Sequence, residues 1–419
     1  MIKKGNVDCE VYKDWKGPPL KGKSQRSGKF MKFVDPTELT EFIRWTRRRQ
    51  GWFLENLNLK RLGNMMVAVT QVVSKREKIL SWPVAVKIDI TPLCNLKCTV
   101  CVHAHPNGNK TLEKQKFHAG QKMPLAQYRR IIDEIKGKAS AVSLYYLGDP
   151  FMHPDLDEMC SIARDADFTV HLSTNFSFSL TDDRIRQIVK SGVTHLTVCV
   201  DGLSQEKYQL TRVGGRIDWV LSNVKRVCQY RSQYGQVYPK IEIQYIKYQH
   251  NMDELEDMQR VFKEMGVEQV TSFWGSLHNY IDWNPENYAI HGPKKNKRIP
   301  QCLWPFFSMV IKYDGDVVPC CAYRLGRVYT GEDDHLVLGN VFKSSVREVW
   351  NSPEYHKLRR MVSNPEVISS EPSLKETFCY GCPLIFDTEA YKNQRLGSQY
   401  TFEQLYTIGE KGIPIRRQE

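Results

Sequence analysis

The sequence lacks a long apolar segment, an internal repeat and an extended low-complexity tract. Its longest apolar run, MMVAV at 65–69, is far shorter than the roughly 20 residues of a membrane-spanning helix. No apolar export segment follows the opening MIKKGNVDCEVYKDWKG, so we expect a reducing, cytoplasmic environment. With 419 residues, 41% of them hydrophobic, the chain is long enough for one large domain and smaller additions.

Acidic residues are in deficit. The chain has 60 Lys and Arg against 47 Asp and Glu, a formal net charge of +13. The excess is dispersed, with local concentrations at KGKSQRSGKFMK, RWTRRRQ and HGPKKNKR, and no nucleic-acid motif accompanies it. The pattern therefore favours a solvated, mildly basic surface over a site for nucleic acid or an anionic membrane.

Cysteine is plentiful, and three of the 12 cysteines fall in one short segment, TPLCNLKCTVCVH. A reducing environment makes these thiols metal ligands rather than disulfide partners. Zinc ribbons and fingers close a tetrahedral site with two distant pairs of ligands, whereas Cys94, Cys98 and Cys101 stand without a fourth partner nearby. Three thiolates suit an iron–sulfur cubane that leaves one iron open to a substrate or cofactor.

A β-α rhythm begins after Pro83 and predicts a parallel sheet, either open or curled into a barrel, with its chemistry at the carboxyl ends of the strands. The cysteine segment directly follows the first strand. The six expected strands are 84–90, 142–147, 168–173, 196–200, 241–246 and 269–273.

The domain organisation predicted from these patterns has four parts. Residues 1–82 form a basic, mainly helical segment, 83–290 the barrel, 300–400 a small domain and 401–419 a tail. The small domain begins with a hairpin, SMVIKYDGDVVPC, turned at Asp314-Gly315. In the first segment, FIRWTRRRQGWF predicts an amphipathic helix that docks on the barrel or makes a weak contact with a membrane surface or protein partner.

The three-cysteine spacing after a first barrel strand resembles the signature of the radical S-adenosylmethionine (radical SAM) superfamily. The resemblance implies a partial (βα)6 barrel in which Cys94, Cys98 and Cys101 hold a 4Fe-4S cluster. S-adenosylmethionine would bind the open iron, and an electron from a flavodoxin- or ferredoxin-type donor would cleave it to a 5′-deoxyadenosyl radical. That radical would abstract hydrogen from the substrate.

Three further segments resemble cofactor-contacting parts of the same family. YLGDPFMHPDL resembles its glycine-rich loop, LSTNF its ribose-contacting segment, and VDGLSQEKYQLTRVGG the stretch that contacts the cofactor's carboxylate. The sequence departs from the family in two places. The loop of the family usually has a second glycine and a glutamate, where this chain has Asp149, and the residue before the third cysteine is usually aromatic, where this chain has Val100. The cofactor-binding residues implied are Gly148, Asp149, Pro150, Ser173, Asn175 and Arg212.

A second set of thiols, Cys302, Cys320, Cys379 and Cys382, could close either a zinc site or a fully ligated 4Fe-4S cluster. Its arrangement resembles the extension called SPASM, or the shorter twitch form, behind radical SAM barrels. The resemblance implies one closed auxiliary cluster suited to electron transfer. Cys321 is an alternative to Cys320 as ligand.

Strand alternation directs Thr197, Cys199 and Asp201 into the barrel, opposite an apolar face. The same alternation directs His171 and Ser173, and Glu242 and Gln244, inward from the neighbouring strands. A polar interior favours a hydroxyl- or amine-bearing small molecule, such as a sugar, aminoglycoside or nucleoside, that is dehydrogenated or epimerised. Cys199 is a candidate hydrogen-atom donor for epimerisation. Two alternatives stay open: a peptide- or protein-modifying radical SAM maturase, and a non-catalytic iron–sulfur protein that binds nucleic acid.

Overall fold

A computed structural model describes residues 55–98, 101, 119–275, 289–320 and 336–388, together with short strands at 406–408 and 414–416. The chain divides into two compact units, Met1–Leu54 and Glu55–Glu419, and the described residues belong to the second unit. The helix expected within 42–53 and the residues Val100 and Cys321 lie outside the described ranges.

One eight-stranded sheet organises this unit. The described strands are β1 (Ala85–Ile88), β2 (Ala141–Ser143), β3 (Thr169–Thr174), β4 (His195–Val200), β5 (Lys240–Lys247), β6 (Gln269–Trp274), β7 (Ile290–Pro293), β8 (Ser308–Ile311), β9 (Val317–Val318), β10 (Phe386–Thr388), β11 (Tyr406–Ile408) and β12 (Pro414–Arg416). The order in the large sheet is β6-β5-β4-β3-β2-β1-β8-β9. Strands β1 to β6 are mutually parallel, which confirms the sheet predicted from the β-α rhythm.

The C-terminal hairpin extends this sheet, a pairing that local sequence pattern did not predict. Strand β8 lies parallel to β1, and β9 returns antiparallel to β8. The Asp89 amide also donates to the carbonyl of Ile311, at 2.8 Å, just beyond the paired residues. The first cysteine set therefore follows β1, and Cys320 of the second set follows β9, two strands away in the same sheet.

Helices cover the sheet with amphipathic faces. In the helix Leu125–Ile135, the side chains of Tyr128, Ile131, Ile132 and Ile135 are fully buried at the spacing of one helical stripe. The described helices are α1 (Leu59–Val73), α2 (Leu125–Ile135), α3 (Leu156–Asp165), α4 (Asp182–Lys190), α5 (Gln205–Thr211), α6 (Ile217–Gln233), α7 (Leu255–Glu264), α8 (Trp304–Phe307), α9 (Val346–Trp350) and α10 (Pro353–Ser363). Within the described ranges, no helix combines the length and apolar content needed to cross a membrane.

Side-chain caps fix where several helices begin. The hydroxyls of Thr181, Ser204 and Ser352 each accept a backbone N–H of α4, α5 and α10, respectively. On the outer side of β4, Leu196, Val198 and Val200 are completely buried, as the alternation predicted. Each large apolar side chain buried in this way contributes roughly 1.5–3 kcal/mol. Strand β4 is thereby fixed with its alternate, polar residues facing inward.

Candidate functional site

The segment with the first three cysteines follows β1 at the carboxyl edge of the sheet, and neighbouring loops hold it by backbone hydrogen bonds. The Asp149 amide donates to the Leu93 carbonyl at 2.8 Å, and the Lys97 amide donates to the Val213 carbonyl at 3.0 Å. Within the segment, the Cys101 amide donates to the Cys98 carbonyl at 3.0 Å. The loop that follows β2 and the connection between β4 and β5 therefore set the position of this segment.

Gly148 allows the loop after β2 to approach this segment closely. A β-carbon at position 148 would lie less than 3.0 Å from the carbonyl oxygens of Thr91 and Leu93 and from Pro92. All of these atoms are backbone, so no side chain could move aside to make room. A glycine is required here by the close approach of two chain segments.

Asp149 uses its carboxylate inside the loop. The carboxylate accepts from the amides of Phe151 at 3.1 Å and Asn175 at 2.8 Å, and from the Thr174 hydroxyl at 2.8 and 3.0 Å. Burial raises the pKa of Asp149 to about 6, against these hydrogen bonds, which lower it. Asp149 thus joins the loop after β2 to the end of β3, and Pro150 begins the short 3-10 helix that Asp149 caps.

Asn175 joins the end of β3 to the cysteine segment. Its Nδ2 donates to Asn95 Oδ1 at 2.9 Å and lies 3.7 Å from Cys94 Sγ. Asn95 in turn donates to the Ser177 carbonyl at 2.8 Å. Sequence reasoning selected Asn175 but missed Asn95, whose contact joins residues 82 positions apart in the chain.

Arg212 lies beside the same thiols in a nearly enclosed ion pair. Its Nε and Nη2 donate to the two carboxylate oxygens of Asp201 at 2.7 and 3.1 Å, and its Nη1 lies 4.0 Å from Cys98 Sγ. The Thr211 hydroxyl also donates to Asp201, at 3.0 Å. The Asp201 carboxylate therefore orients a guanidinium toward the cysteine segment, in the bidentate geometry that arginine favours.

Burial keeps Cys94 and Cys98 protonated when no metal is bound. Burial raises the pKa of Cys98 to about 12, and it also raises the pKa of Cys94 well above the ordinary value. Metal coordination requires thiolates, so a bound iron–sulfur cluster would replace the thiol protons. The donor set, three thiols on one loop with no oxygen or imidazole ligand among them, fits such a cluster.

The barrel interior carries two transverse rows of polar side chains. In the upper row, Cys199 Sγ on β4 lies 3.6 Å from Ser173 Oγ on β3 and 3.5 Å from Gln244 Oε1 on β5. This contact confirms that Cys199 and Ser173 share the inward face. Burial raises the pKa of Cys199, so the thiol holds its hydrogen at neutral pH.

The lower row lies two residues earlier along each strand and runs through β3, β4, β5 and β6. His171 Nε2 lies 2.9 Å from Thr197 Oγ1, and Thr197 donates to Glu242 at 3.4 Å. Glu242 also accepts from the Thr271 hydroxyl at 2.6 Å. Burial, together with nearby Lys87, lowers the pKa of His171 well below its ordinary value, so this imidazole is neutral.

The second set of thiols comes from three separate segments of the C-terminal part of the chain. Cys302 precedes α8, Cys320 follows β9, and Cys379 and Cys382 lie in the turn before β10. Burial raises the pKa of Cys302 to about 12, with a further increase from neighbouring Cys382. The fully buried ring of Tyr355 lies close enough to Cys320 and Cys379 for their charges to act on its hydroxyl.

A hydrogen bond connects the two sites. The Tyr146 hydroxyl, two residues before Gly148, donates to the Cys320 carbonyl at 2.8 Å. Sequence reasoning missed Tyr146, since only the β1–β8 pairing brings these segments together. Among the residues that the structure describes, no three His, Cys, Asp or Glu side chains are already gathered around a single metal position.

Two family models match the segments that carry these sites. Residues 88–237 match the radical SAM superfamily model, and this range contains the first cysteine set, Gly148, Cys199 and Arg212. Residues 302–383 match the SPASM model, an iron-sulfur cluster-binding domain, and this range contains the second set. The matches fall in the order and at the positions that the sequence motifs indicated.

Comparison with curated proteins found distant relatives. One is the tungsten-containing aldehyde ferredoxin oxidoreductase cofactor-modifying protein of Pyrococcus furiosus, 22% identical over 66% of this chain and 83% of that protein. Another is the AdoMet-dependent heme synthase of Methanosarcina barkeri, 21% identical over 76% of this chain and 93% of that protein.

A solved structure with a similar fold is Streptococcus suis SuiB bound to its precursor peptide SuiA. The TM-score is 0.51 and the identity 16%, with 71% of each chain covered. At this identity the likeness concerns the fold alone.

Proposed function

Because this chain belongs to the radical SAM superfamily and carries a SPASM domain, we propose that it abstracts hydrogen from a hydroxyl- or amine-bearing small molecule bound in its barrel. The reaction would end in dehydrogenation or epimerisation. Family membership implies an enzyme, with S-adenosylmethionine, a 4Fe-4S cluster and auxiliary iron–sulfur ligation as its cofactors.

Each cysteine set has a separate role in this proposal. Cys94, Cys98 and Cys101 would hold the cluster that binds S-adenosylmethionine, and Cys302, Cys320, Cys379 and Cys382 would hold a closed auxiliary cluster. When bound, these groups supply single electrons and a 5′-deoxyadenosyl radical able to abstract a hydrogen atom. The protein's own contribution is to position the cofactor and substrate, to exclude water and to deliver or accept hydrogen.

Three features would orient S-adenosylmethionine at the carboxyl edge of the sheet. Arg212, held by Asp201, presents a guanidinium suited to a carboxylate. Ser173 and Asn175 stand at the end of β3 in reach of the same edge. The carboxylate of Asp149 is already engaged by Phe151, Thr174 and Asn175, so we propose that Asp149 positions the loop and leaves the amino-group contact to the backbone around Gly148.

The observation that carries the substrate class is the double row of polar side chains inside the barrel. A barrel interior that only fills space uses branched aliphatic residues. Here Ser173, Gln244 and Glu242 offer hydroxyl, amide and carboxylate groups that are only partly buried, so they line accessible space. Alternating donors and acceptors on neighbouring strands suit a ligand with several hydroxyl or amino groups, and the neutral His171 beneath them adds no charge.

Cys199 determines which final step converts the substrate radical into product. As a thiol it can give a hydrogen atom to the carbon radical, so that a C–H bond forms as the S–H bond breaks. The resulting sulfur radical then takes up one electron from a flavodoxin- or ferredoxin-type carrier and one proton from solvent, which restores the thiol. Without this donation, the carbon radical would give up one electron, for which the auxiliary cluster would be the acceptor, and its hydroxyl proton would pass to solvent, so that the product is a ketone.

Substitution of Cys199 distinguishes these endings. If Cys199 is the donor, Cys199→Ala should still form 5′-deoxyadenosine but lose product, and the wild-type protein should place one solvent deuterium in the product. Cys160→Ala is a matched control because this thiol is buried in α3, outside the barrel interior. Normal product from Cys199→Ala, without solvent label in either protein, would eliminate the donor role and leave oxidation as the ending.

A peptide substrate is the second candidate, because SuiB, whose similar fold was solved with a bound precursor peptide, shows that this fold can accommodate one. Two relatives named for a cofactor-modifying and a heme-forming activity favour a non-peptide substrate instead. Deuterium transfer into 5′-deoxyadenosine from labelled peptides would support the peptide candidate over the small molecule.

A further inference from the structure

A cluster of cations precedes the auxiliary cysteines in the segment PKKNKRIPQC. We call residues 294–298, KKNKR, the basic strap. It begins where β7 ends and finishes four residues before Cys302. The side chains of Lys295, Lys297 and Arg298 are exposed. The function described above uses none of these three charges.

The backbone of the basic strap is fixed by hydrogen bonds from several elements. Gln301 Nε2 donates to the Lys295 carbonyl at 2.9 Å, and Lys75 Nζ donates to the Lys297 carbonyl at 2.5 Å. The Asn296 amide donates to Glu366 Oε2 at 3.1 Å, so a carboxylate also contacts the strap. A loop held in this way presents its cations in a defined arrangement.

The same strap contacts the auxiliary site. Lys294 Nζ donates to the Pro383 carbonyl at 2.5 Å, and the Lys294 amide donates to the Ile385 carbonyl at 2.8 Å. Pro383 follows Cys382 directly, and the Cys382 carbonyl accepts from the amide of Ile385 at 2.9 Å. At its other end, Arg298 can be no further from Cys302 than the reach of four residues, about 14 Å.

We propose that the basic strap is the docking surface for an acidic one-electron carrier protein of the flavodoxin or ferredoxin type, which exchanges electrons with the auxiliary site. This inference rests on the proposed role of Cys302, Cys320, Cys379 and Cys382 as cluster ligands. The exchange moves one electron: the carrier is oxidised, the auxiliary centre is reduced, and no proton or group is transferred.

Charge complementarity and the composition of the strap favour this partner. Three exposed cations beside a redox centre match the negative surface of an acidic carrier and raise the rate of encounter. A single-stranded nucleic acid would require aromatic side chains for base stacking, and 293–301 contains none. A membrane would require exposed apolar side chains, whereas Ile299 is half-buried and Pro300 is buried.

The test compares two triple variants of the reconstituted holoenzyme. Lys295→Gln, Lys297→Gln and Arg298→Gln remove the strap cations. Lys136→Gln, Lys225→Gln and Lys263→Gln remove three exposed cations from the barrel helices and their ends. Each triple variant lowers the net charge from +13 by three, to +10. Any difference in reduction rate between the two variants therefore depends on where the cations lie and not on the total charge.

Reduced flavodoxin is mixed anaerobically with each protein, and loss of the visible absorbance of the oxidised clusters gives the reduction rate. At low salt the strap variant should be reduced about tenfold more slowly than wild type, the control should match wild type, and the difference should shrink as salt is added. Equal rates for the strap and control variants would overturn the proposal, as would a difference that persists unchanged at high salt.

Two further measurements separate failure of docking from failure of the proposed site. Iron and sulfide content shows whether the auxiliary cluster forms, and reduction by dithionite shows whether the cluster is redox-active without a docked protein. The strap variant should equal wild type in both. If all proteins hold the full iron complement and flavodoxin reduces the strap and control variants at equal rates, only the docking surface is overturned. A wild-type protein with only four irons overturns the auxiliary cluster on which the docking proposal rests.

Discussion

Substitution of Gly148 by alanine tests the packing of the cofactor loop against the cysteine segment. The added β-carbon would lie less than 3.0 Å from the carbonyl oxygens of Thr91 and Leu93. Because both are backbone atoms, the two segments would have to separate by roughly 1 Å to restore ordinary contact distances. The same movement would stretch the Asp149 to Leu93 hydrogen bond, which is 2.8 Å long.

The expected cost has two parts. Overpacking of this kind lowers the free energy of unfolding by about 1–3 kcal/mol. A displacement of roughly 1 Å in the segment that holds the cluster would slow cleavage of S-adenosylmethionine by up to about 10²-fold. The assays are chemical denaturation of the metal-free protein, and the rate of 5′-deoxyadenosine formation by the reconstituted protein.

Gly63→Ala is the matched control. Gly63 lies within α1 with no atom within 4 Å of the added β-carbon, so alanine should raise stability by up to about 1 kcal/mol and leave cleavage unchanged. If Gly148→Ala cleaved S-adenosylmethionine at the wild-type rate with unchanged stability, the close approach of the two segments would not be required for either property.

Three other substitutions test the ion pair, the fold and the connection between sites. Asp201→Asn leaves the Arg212 guanidinium buried without its partner and should cost about 3–5 kcal/mol of stability and weaken S-adenosylmethionine binding, measured by calorimetry. Burial lowers the pKa of His195 to about 4, so the folded protein holds this imidazole neutral while the unfolded chain protonates it below about pH 6.5. The free energy of unfolding should therefore fall by about 3 kcal/mol as pH drops from about 6.5 to 4. His195→Gln should remove that part of the decline in denaturant titrations. If His195→Gln lost stability with falling pH just as the wild-type protein does, His195 would not be the group responsible. Tyr146→Phe removes the hydrogen bond to the Cys320 carbonyl and should cost about 1–3 kcal/mol while leaving 5′-deoxyadenosine formation measurable; unchanged stability would show that this bond does not hold the sites together.

The parts of this molecule that follow local rules were accessible from sequence. Alternation along a strand placed Cys199 and Ser173 on the inward face, and the structure brings them to 3.6 Å. The β-α rhythm predicted six parallel strands, which form in sequence order. The cysteine motifs fell within the two family matches. Each of these depends on neighbours in the chain or on a fixed motif spacing.

The features that were missed depend on pairing between distant segments. The sequence gives no local indication that β8 lies beside β1, because the two strands are far apart in the chain and meet only in the folded protein. Tyr146 and Cys320 are 174 positions apart and meet only through that pairing. The carboxylate of Asp149 is bound by Thr174, 25 positions later, so its structural use could not be read from its own motif.

The central claim is that the barrel abstracts hydrogen from a small molecule with hydroxyl or amino groups. The direct measurement uses an extract of cells grown in deuterated water, separated by ultrafiltration into small molecules and macromolecules, each then exchanged into ordinary water. The anaerobically reduced protein is given S-adenosylmethionine and either fraction, and deuterium in 5′-deoxyadenosine is measured by mass spectrometry. We predict label from the small-molecule fraction alone; label from the macromolecular fraction, with none from the small molecules, would contradict the account.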